Sequence, residues 1–196
     1  ISLRDYGRGV PLGWNTKENH WNWHIIYNEL YGGGKYSDNQ DKLKEITDWS
    51  TFDSKLFNYL YSVGLNGVGA ASTQYTSEFF TVKSYHDGKC TTRHFRKGIP
   101  LVNGQPYNVF TATQKEIEQL PEEIEDTTEP NGTYIHWKAD AEVFDDVNIG
   151  GKWLLDTCKD ISGVAGIELH FKDEINNVDL VIEKGTLVDV LKSNCG

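Results

Sequence analysis

The sequence contains no methionine, only three cysteines, and no long apolar run. A membrane-spanning helix needs about 20 consecutive apolar residues, and no stretch of this chain approaches that length. No charged and then apolar leader opens the sequence, so a soluble protein is expected. Cys90, Cys158 and Cys195 are far apart and form no CxxC pair, which favours reduced thiols in the cytoplasm over disulfides or a zinc site. The lack of methionine indicates a processed chain or a piece of a longer one.

Basic residues are also scarce. The chain carries 19 Lys and Arg against 29 Asp and Glu, which gives a formal net charge of -10. Such a charge repels phosphate polymers and anionic lipids. We therefore expect no membrane partner, and we expect that nucleic acid does not dock mainly on this chain.

The length and composition are those of one globular domain over residues 1–196. With 38% hydrophobic residues, the chain can bury one sizeable core. Alternating and helical apolar patterns predict strands and helices, and Asp87 with Gly88 predicts a hairpin turn. The predicted strands are 1–5, 80–85, 91–95, 132–137, 167–171 and 178–182, and the predicted helices are 18–31, 70–78 and 152–161.

Two further segments have weaker patterns. Residues 41–63 predict one or two short helices, and the glutamate-rich residues 116–129 predict a solvated connection. Strands outnumber helices, but the helices are long enough to cover one face of a sheet. The predicted fold class is α+β, a two-layer α/β sandwich with a mostly antiparallel sheet and helices on one face.

Two glycine-rich turns are the main chemical signal. Glycine permits positive φ and lets a ligand approach the backbone, so that successive N–H groups can converge on an anion. The second turn, residues 64–69, runs into a predicted helix whose free N–H groups favour phosphate. An ordinary tight turn is the commoner use of such a motif. The turn lacks the GK[ST] ending of a P-loop and does not lie in a parallel βαβ unit.

Asp5 lies at the end of the first predicted strand, immediately before the first glycine turn. A partly buried carboxylate there needs donors, which an adenine amino group or the amides of Gly7 and Arg8 could supply. The two alternatives stay open at this point. Arg8 could stack on a flat base or cover the surface.

Two residues outside this turn are further candidates. Lys35 follows three glycines and could reach a phosphate or remain a surface lysine, and Thr133 could offer a hydroxyl or cap its own turn.

Histidines and tryptophans support other kinds of site less well. His20 and His24 are spaced i, i+4, but no Glu lies between them and no third ligand suggests itself, so no metal site is predicted. The tryptophans belong to elements of different type. They are interpreted as core and groove residues, namely Trp21, Trp23, Trp137 and Trp153.

Four short motifs in order resemble one known family. They are residues 5–11 (DYGRGVP), 32–39 (GGGKYSDN), 64–70 (GLNGVGA) and the Gly132 and Thr133 pair. Together they are similar to the ATPase domain of the B subunit of bacterial type IIA topoisomerases, DNA gyrase and topoisomerase IV, in the GHKL ATPase superfamily. The order and spacing agree over nearly the whole chain.

The resemblance implies a role for each matching residue. Asp5 would accept the adenine amino hydrogen with help from Thr133, and Gly7 and Gly9 would shape the base pocket. Arg8 and Pro11 would lie along an adenine edge. The phosphates would be met by Lys35 and wrapped by the second glycine turn, namely Gly64, Leu65, Asn66, Gly67, Val68 and Gly69.

The resemblance also implies the context of the whole protein. In this family ATP and Mg²⁺ drive DNA strand passage by an isomerase that contains a dimer of B subunits and an A subunit. The DNA would be held through other domains. The family's general-base Glu and its Mg²⁺-holding Asn lie on a helix before the first strand, and a transducer domain follows. We therefore expect no catalytic or metal residue in this chain, and little or no ATP hydrolysis by it alone.

Two rivals remain, and one segment departs from the family pattern. Residues 40–63 are longer than the usual ATP lid, so lid closure is expected to differ. The first rival is another GHKL protein, for instance a mismatch-repair protein, a chaperone or a histidine kinase. The second is a non-enzymatic module that binds carbohydrate or peptide through its aromatic residues.

Overall fold

A computed structural model of the protein describes residues 1–31 and 67–194. The chain divides into two compact units, Ile1–Asp145 and Asp146–Gly196. The expectation of a single domain over residues 1–196 stays a prediction. In the part of the chain that the structure describes, no helix is long and apolar enough to cross a membrane.

Strands dominate the first unit over residues 1–31 and 67–145, the part of it that the structure describes. Seven of them form one sheet. Six follow the order β1-β9-β4-β5-β6-β7, and the seventh, β8, also pairs with β5. Strands β2 and β3 form a separate hairpin. The strands are β1 (Ser2–Arg4), β2 (Trp14–Asn15), β3 (His20–Trp21), β4 (Ser77–His86), β5 (Lys89–Arg96), β6 (Ile99–Val102), β7 (Gln105–Pro106), β8 (Ile124–Asp126) and β9 (Gly132–Ala139). Every strand pair among the described residues is antiparallel.

The predicted hairpin between β4 and β5 is confirmed. Asp87 and Gly88 have φ of 48° and 75°, the backbone of a tight two-residue hairpin turn. Within β4, Phe80 and Val82 are fully buried while their neighbours are more exposed, as expected for a strand with one face on the core.

The described residues of the first unit form three short helices: α1 (Asn22–Tyr27), α2 (Gly69–Tyr75) and α3 (Gln114–Glu118). The helix predicted over 18–31 was too long. Trp14 pairs with Trp21 across β2 and β3, and their rings meet edge to face at 5.5 Å, so strand pairing replaces the first helical turn.

The other helix and loop predictions need smaller corrections. The helix predicted over 70–78 ends at Tyr75, because β4 begins at Ser77. The segment 116–129 is not only a solvated connection. Its start belongs to α3, where Thr113 and Glu116 form a capping box, and its middle forms β8. The prediction for 41–63 lies outside the described residues.

The core lies between α1, α3 and the face of the sheet that carries Phe80. Trp23 and Tyr27 of α1 place their rings against Phe95 and Phe80. The buried members of the core are Leu12, Trp21, Trp23, Tyr27, Phe80, Val82, Phe95, Val109, Ile117 and Leu120. Helices on one face of an antiparallel sheet confirm the predicted α+β class.

The second unit contains α4 (Gly151–Ala165), β10 (Leu169–Asp173), β11 (Val178–Ile182) and α5 (Leu187–Asn194). Helix α4 ends at Gly166, whose φ of 62° gives the left-handed cap that glycine favours. The strands predicted over 167–171 and 178–182 are found as β10 and β11, which pair antiparallel with Phe171 opposite Leu180. The hydroxyl of buried Ser162 in α4 lies 2.7 Å from the Ile167 carbonyl oxygen and 2.9 Å from that of Glu183. It can donate its one proton to either, which joins the helix to this hairpin.

Candidate functional site

Asp5 is tied to Thr133 at the point where β1 ends and β9 begins. The Asp5 backbone N–H donates to the Thr133 carbonyl at 2.9 Å, and the Thr133 N–H donates to Oδ1 of Asp5 at 3.3 Å. The Gly7 N–H donates to the same carboxylate oxygen at 2.8 Å. The structure thus brings Asp5, Gly7 and Thr133 together, as the resemblance implies.

The Asp5 carboxylate is exposed, whereas the sequence analysis expected it to be partly buried. It accepts from Gly7 as the turn interpretation expected, but from Thr133 rather than Arg8. Within the described ranges Oδ2 of Asp5 accepts no hydrogen bond. The turn interpretation and the adenine interpretation of Asp5 are therefore compatible, because Oδ1 accepts the backbone amides and Oδ2 is left to accept a hydrogen bond from a ligand.

Two glycines bring the backbones close together behind Asp5. Gly9 has φ of 87°, and a Cβ there would lie 2.8 Å from the Tyr85 carbonyl oxygen and 2.9 Å from the Ser84 hydroxyl. Gly132 has φ of 144°, and a Cβ there would collide with the Asp5 carbonyl group. Only glycine fits these two positions, so the backbone at this end of the sheet is fixed.

Arg4 also binds the backbone around Asp5, which the sequence analysis did not predict. Its guanidinium donates to the carbonyls of Asp5 at 2.5 Å and Pro130 at 2.6 Å. The same group lies over the rings of Tyr85 at 4.2 Å and Tyr6 at 4.9 Å. Arg4 thereby connects the end of β1 to the loop that precedes β9.

Tyr27 of α1 is electrostatically linked to Asp5, which the sequence analysis did not predict. It is buried, and burial, followed by the negative charge of Asp5, raises its pKa. The geometry that the structure gives for Tyr27 is that of the core, where its ring packs against Phe80 and Phe95. The helical apolar pattern indicated only that Tyr27 is a core residue, which it also is.

The remaining residues of the first motif lie at the surface. Arg8 and Pro11 are exposed, and the Arg8 carbonyl accepts a hydrogen bond from Nδ1 of His86 at 3.0 Å. Thr133 is only 8% exposed and lies opposite Ser84 of β4. Arg8 and Pro11 are thus exposed beside a Thr133 whose side chain is largely covered.

The second glycine turn is described only in part. Gly67 has φ of 57°, and Val68 caps α2, accepting the Ser72 N–H at 2.8 Å, while Gly69 begins the helix. Of the residues expected to meet phosphate, four lie outside the described residues, namely Lys35, Gly64, Leu65 and Asn66.

The tryptophans give little support to an aromatic binding platform. Trp21 and Trp23 are buried in the core, as expected, and Trp137 packs against it in part. Trp153 is 65% exposed on α4, so its interpretation as a core residue was wrong.

Among known proteins, no family model matches the chain. The B subunit of DNA gyrase from Thermotoga maritima is 24% identical over 177 residues, which are 90% of this chain and 22% of that protein. The B subunit of DNA topoisomerase 4 from Borreliella burgdorferi is 29% identical over 144 residues, 74% of this chain and 16% of that protein. The resemblance to the B subunits of type IIA topoisomerases is confirmed. The chain spans less than a quarter of the length of these relatives.

Solved structures show the same fold. The 43K ATPase domain of Thermus thermophilus gyrase B, in complex with an aminocoumarin, has a TM-score of 0.62 at 17% identity and covers 98% of this chain and 40% of its own. The ATP-binding domain of Francisella tularensis topoisomerase IV, in complex with a small-molecule inhibitor, has a TM-score of 0.59 at 19% identity. The superposition covers 93% of this chain and 69% of that one. The α+β fold is therefore that of the gyrase B ATPase domain.

Proposed function

We propose that this chain is the ATP-binding part of the B subunit of a type IIA topoisomerase, and that Asp5 recognises the adenine. The observation that carries the proposal is the pair of amides on Oδ1 of Asp5, from Gly7 at 2.8 Å and Thr133 at 3.3 Å. They orient the carboxylate and leave Oδ2 to accept a hydrogen bond. The adenine amino group is a donor of the kind that this acceptor needs.

The residues around Asp5 suit a flat base. Gly7 and Gly9 keep the first turn narrow, and the backbone at Gly9 could not hold a larger residue without a collision. Thr133 would assist with its hydroxyl, and Arg8 and Pro11 would lie along the edge of the base. The side chains present therefore fit the adenine half of ATP.

The phosphate half of the proposal rests mainly on the resemblance. Lys35 would meet the phosphates, and the amides of residues 64–69 would wrap them. The positive φ of Gly67, 57°, supports this role, because it sets a turn directly before α2. Backbone N–H groups in such a turn form a concave site for anions.

In the whole protein, ATP binding and hydrolysis would be coupled to DNA strand passage. The partners would be a second copy of the B subunit, the A subunit, and DNA held through other domains, in the cytoplasm. Mg²⁺ would accompany the phosphates, but no residue of this chain is assigned to it. The residues assigned here bind nucleotide and none is a general base, so we expect little or no ATP hydrolysis by this chain alone.

Base selectivity tests the proposal. Guanine presents a carbonyl oxygen where adenine presents its amino group, and this oxygen would face the Asp5 carboxylate. A site that is built to hydrogen-bond one group of a ligand strongly rejects an analogue that lacks this group. Calorimetric titration should show ATP and ADP binding at least about tenfold more tightly than GTP and GDP, since an unmet hydrogen bond costs about 1–3 kcal/mol. Equal affinity for ATP and GTP would contradict the role of Asp5.

A further inference from the structure

Three possible metal ligands of the first unit converge at one place beside α1. One ring nitrogen of His20, one of His24 and one carboxylate oxygen of Glu29 lie within 4.8 Å of one another. The sequence analysis found no third ligand for the two histidines. The structure supplies it, because the chain leaves α1 after Tyr27 and returns Glu29 to the side of His24.

His24 is the fixed member of the cluster. It is 5% exposed, and its Nδ1 lies 3.1 Å from Oε1 of Glu29. Its Nε2 is buried, with no hydrogen-bond partner in the part of the chain that the structure describes. The ion would bind through Nδ1, the ring nitrogen beside Glu29, because Nε2 points away from that carboxylate.

His20 and Glu29 are the adjustable members. His20 is half-buried on β3, and its ring stacks on that of His24 with centroids 4.3 Å apart and an interplanar angle of 22°. The Glu29 side chain is 47% exposed. In a tetrahedral zinc site the ligand atoms lie roughly 3.4 Å apart, as follows from metal–nitrogen distances of about 2.0–2.1 Å. Rotation of the two more exposed side chains can close the difference.

The chemistry of the ligands selects the metal. Two imidazoles and one carboxylate are a donor set that Zn²⁺ takes in proteins, with a fourth position for water. Imidazole also suits Cu²⁺, Ni²⁺ and Co²⁺, whereas Mg²⁺ and Ca²⁺ prefer oxygen ligands. This cluster therefore does not suit the Mg²⁺ that accompanies ATP.

We propose that His20, His24 and Glu29 bind one divalent transition-metal ion of the Zn²⁺ type. The ion joins β3, α1 and the residues after α1, and so holds the helix that carries Tyr27. The proposal stands apart from nucleotide binding, because none of its ligands is assigned to ATP.

Metal titration of the tag-free chain, freed of metal with a chelator, tests the proposal. Calorimetry with Zn²⁺ should show one ion per chain, and Co²⁺ should give the visible absorption bands of a low-symmetry site with nitrogen and oxygen ligands. The His20 Nδ1 accepts the Trp21 backbone N–H at 2.9 Å, a bond that binding through either ring nitrogen disturbs. The amide resonance of Trp21 should therefore shift on addition of Zn²⁺.

Two variants and one matched control complete the test. Glu29→Gln and His20→Asn should each weaken Zn²⁺ binding at least about tenfold, since even an outer-shell partner of a metal is worth that much. His24 is left unchanged because its replacement threatens the core. His170→Asn is the control, since His170 is exposed and pairs with Asp179 in the second unit. Failure to bind Zn²⁺, or equal affinity in both variants and the control, would overturn the proposal.

Discussion

Thr133 and Asp5 are 128 residues apart in the chain and are joined twice, by a backbone hydrogen bond and by the Thr133 amide on Oδ1 of Asp5. Both bonds exist because β1 pairs antiparallel with β9, with Arg4 opposite Tyr134. The orientation of the proposed adenine acceptor therefore depends on the register of a sheet. A change that shifts this register should impair nucleotide binding even if Asp5 itself is intact.

Replacement of Asp5 by Asn should weaken ATP binding. The amide keeps the size of the side chain but removes the charge and offers only one acceptor oxygen, so the change should cost about 1–3 kcal/mol, roughly a 5- to 150-fold loss of affinity. A fluorescent ATP analogue displaced by ATP would measure it. The matched control is Asp87→Asn in the nearby β4–β5 turn, where Asn accepts the positive φ of 48°. Equal affinity in the Asp5 variant and the control would count against the assignment.

Gly132→Ala should destabilise the first unit and abolish nucleotide binding. The new Cβ would collide with the Asp5 carbonyl at a backbone φ of 144°. Strain and overpacking together should cost about 2–6 kcal/mol. Urea unfolding would measure the loss in comparison with Gly104→Ala. Gly104 has φ of 74° and open space around it, so that change should cost only about 1 kcal/mol. Similar losses in the two variants would show that the close approach at Gly132 does not matter.

Gly67→Val should act on the phosphates and not on the base. Valine is strained at a φ of 57°, and its side chain would block approach to the backbone N–H groups of the turn. We expect a clear loss of affinity for ATP with little change for adenosine, measured by calorimetry on the same preparation. An equal loss for both ligands would point to a general folding defect, and no loss for ATP would leave Gly67 as a turn residue only.

The ionisation of Tyr27 should make the stability of the first unit fall in alkali. Burial and the charge of Asp5 raise its pKa above the ordinary value, so the unfolded chain loses this proton at a lower pH than the folded chain. The stabilisation is fully present below about pH 10 and is lost as the pH rises further. The unfolding free energy of the protein should therefore fall relative to that of Tyr27→Phe as the pH rises from 9 to 11, a range centred on the ordinary tyrosine pKa of about 10. A constant difference over this range would contradict the burial of the Tyr27 hydroxyl.

The sequence predicted the parts of the site that are local in the chain. Asp5 and Gly7 are two residues apart, and the alternation of β9 with its Gly132 and Thr133 start is visible in the residues alone. The contributions of Arg4, Tyr27 and Glu29 could not be predicted in this way. Arg4 acts on a carbonyl 126 residues away, and Glu29 meets His24 only because α1 ends early. Such contacts depend on tertiary packing, which periodicity does not describe.

The length of α1 shows the same limit within one element. The apolar spacing from residue 18 to 31 fits a helix, but Trp14 lies nearby in the chain and pairs with Trp21. The aromatic pair and the buried Trp21 favour a strand hairpin at the start of this segment. A pattern within one segment does not reveal a partner that another segment provides.

A crystal structure of the chain with a non-hydrolysable ATP analogue tests the central claim most directly. We predict that the adenine amino nitrogen lies within about 3.2 Å of the Asp5 carboxylate, with the phosphates beside the turn at Gly67. A base bound elsewhere on the chain, or an Asp5 region closed by side chains of the protein itself, would contradict the account.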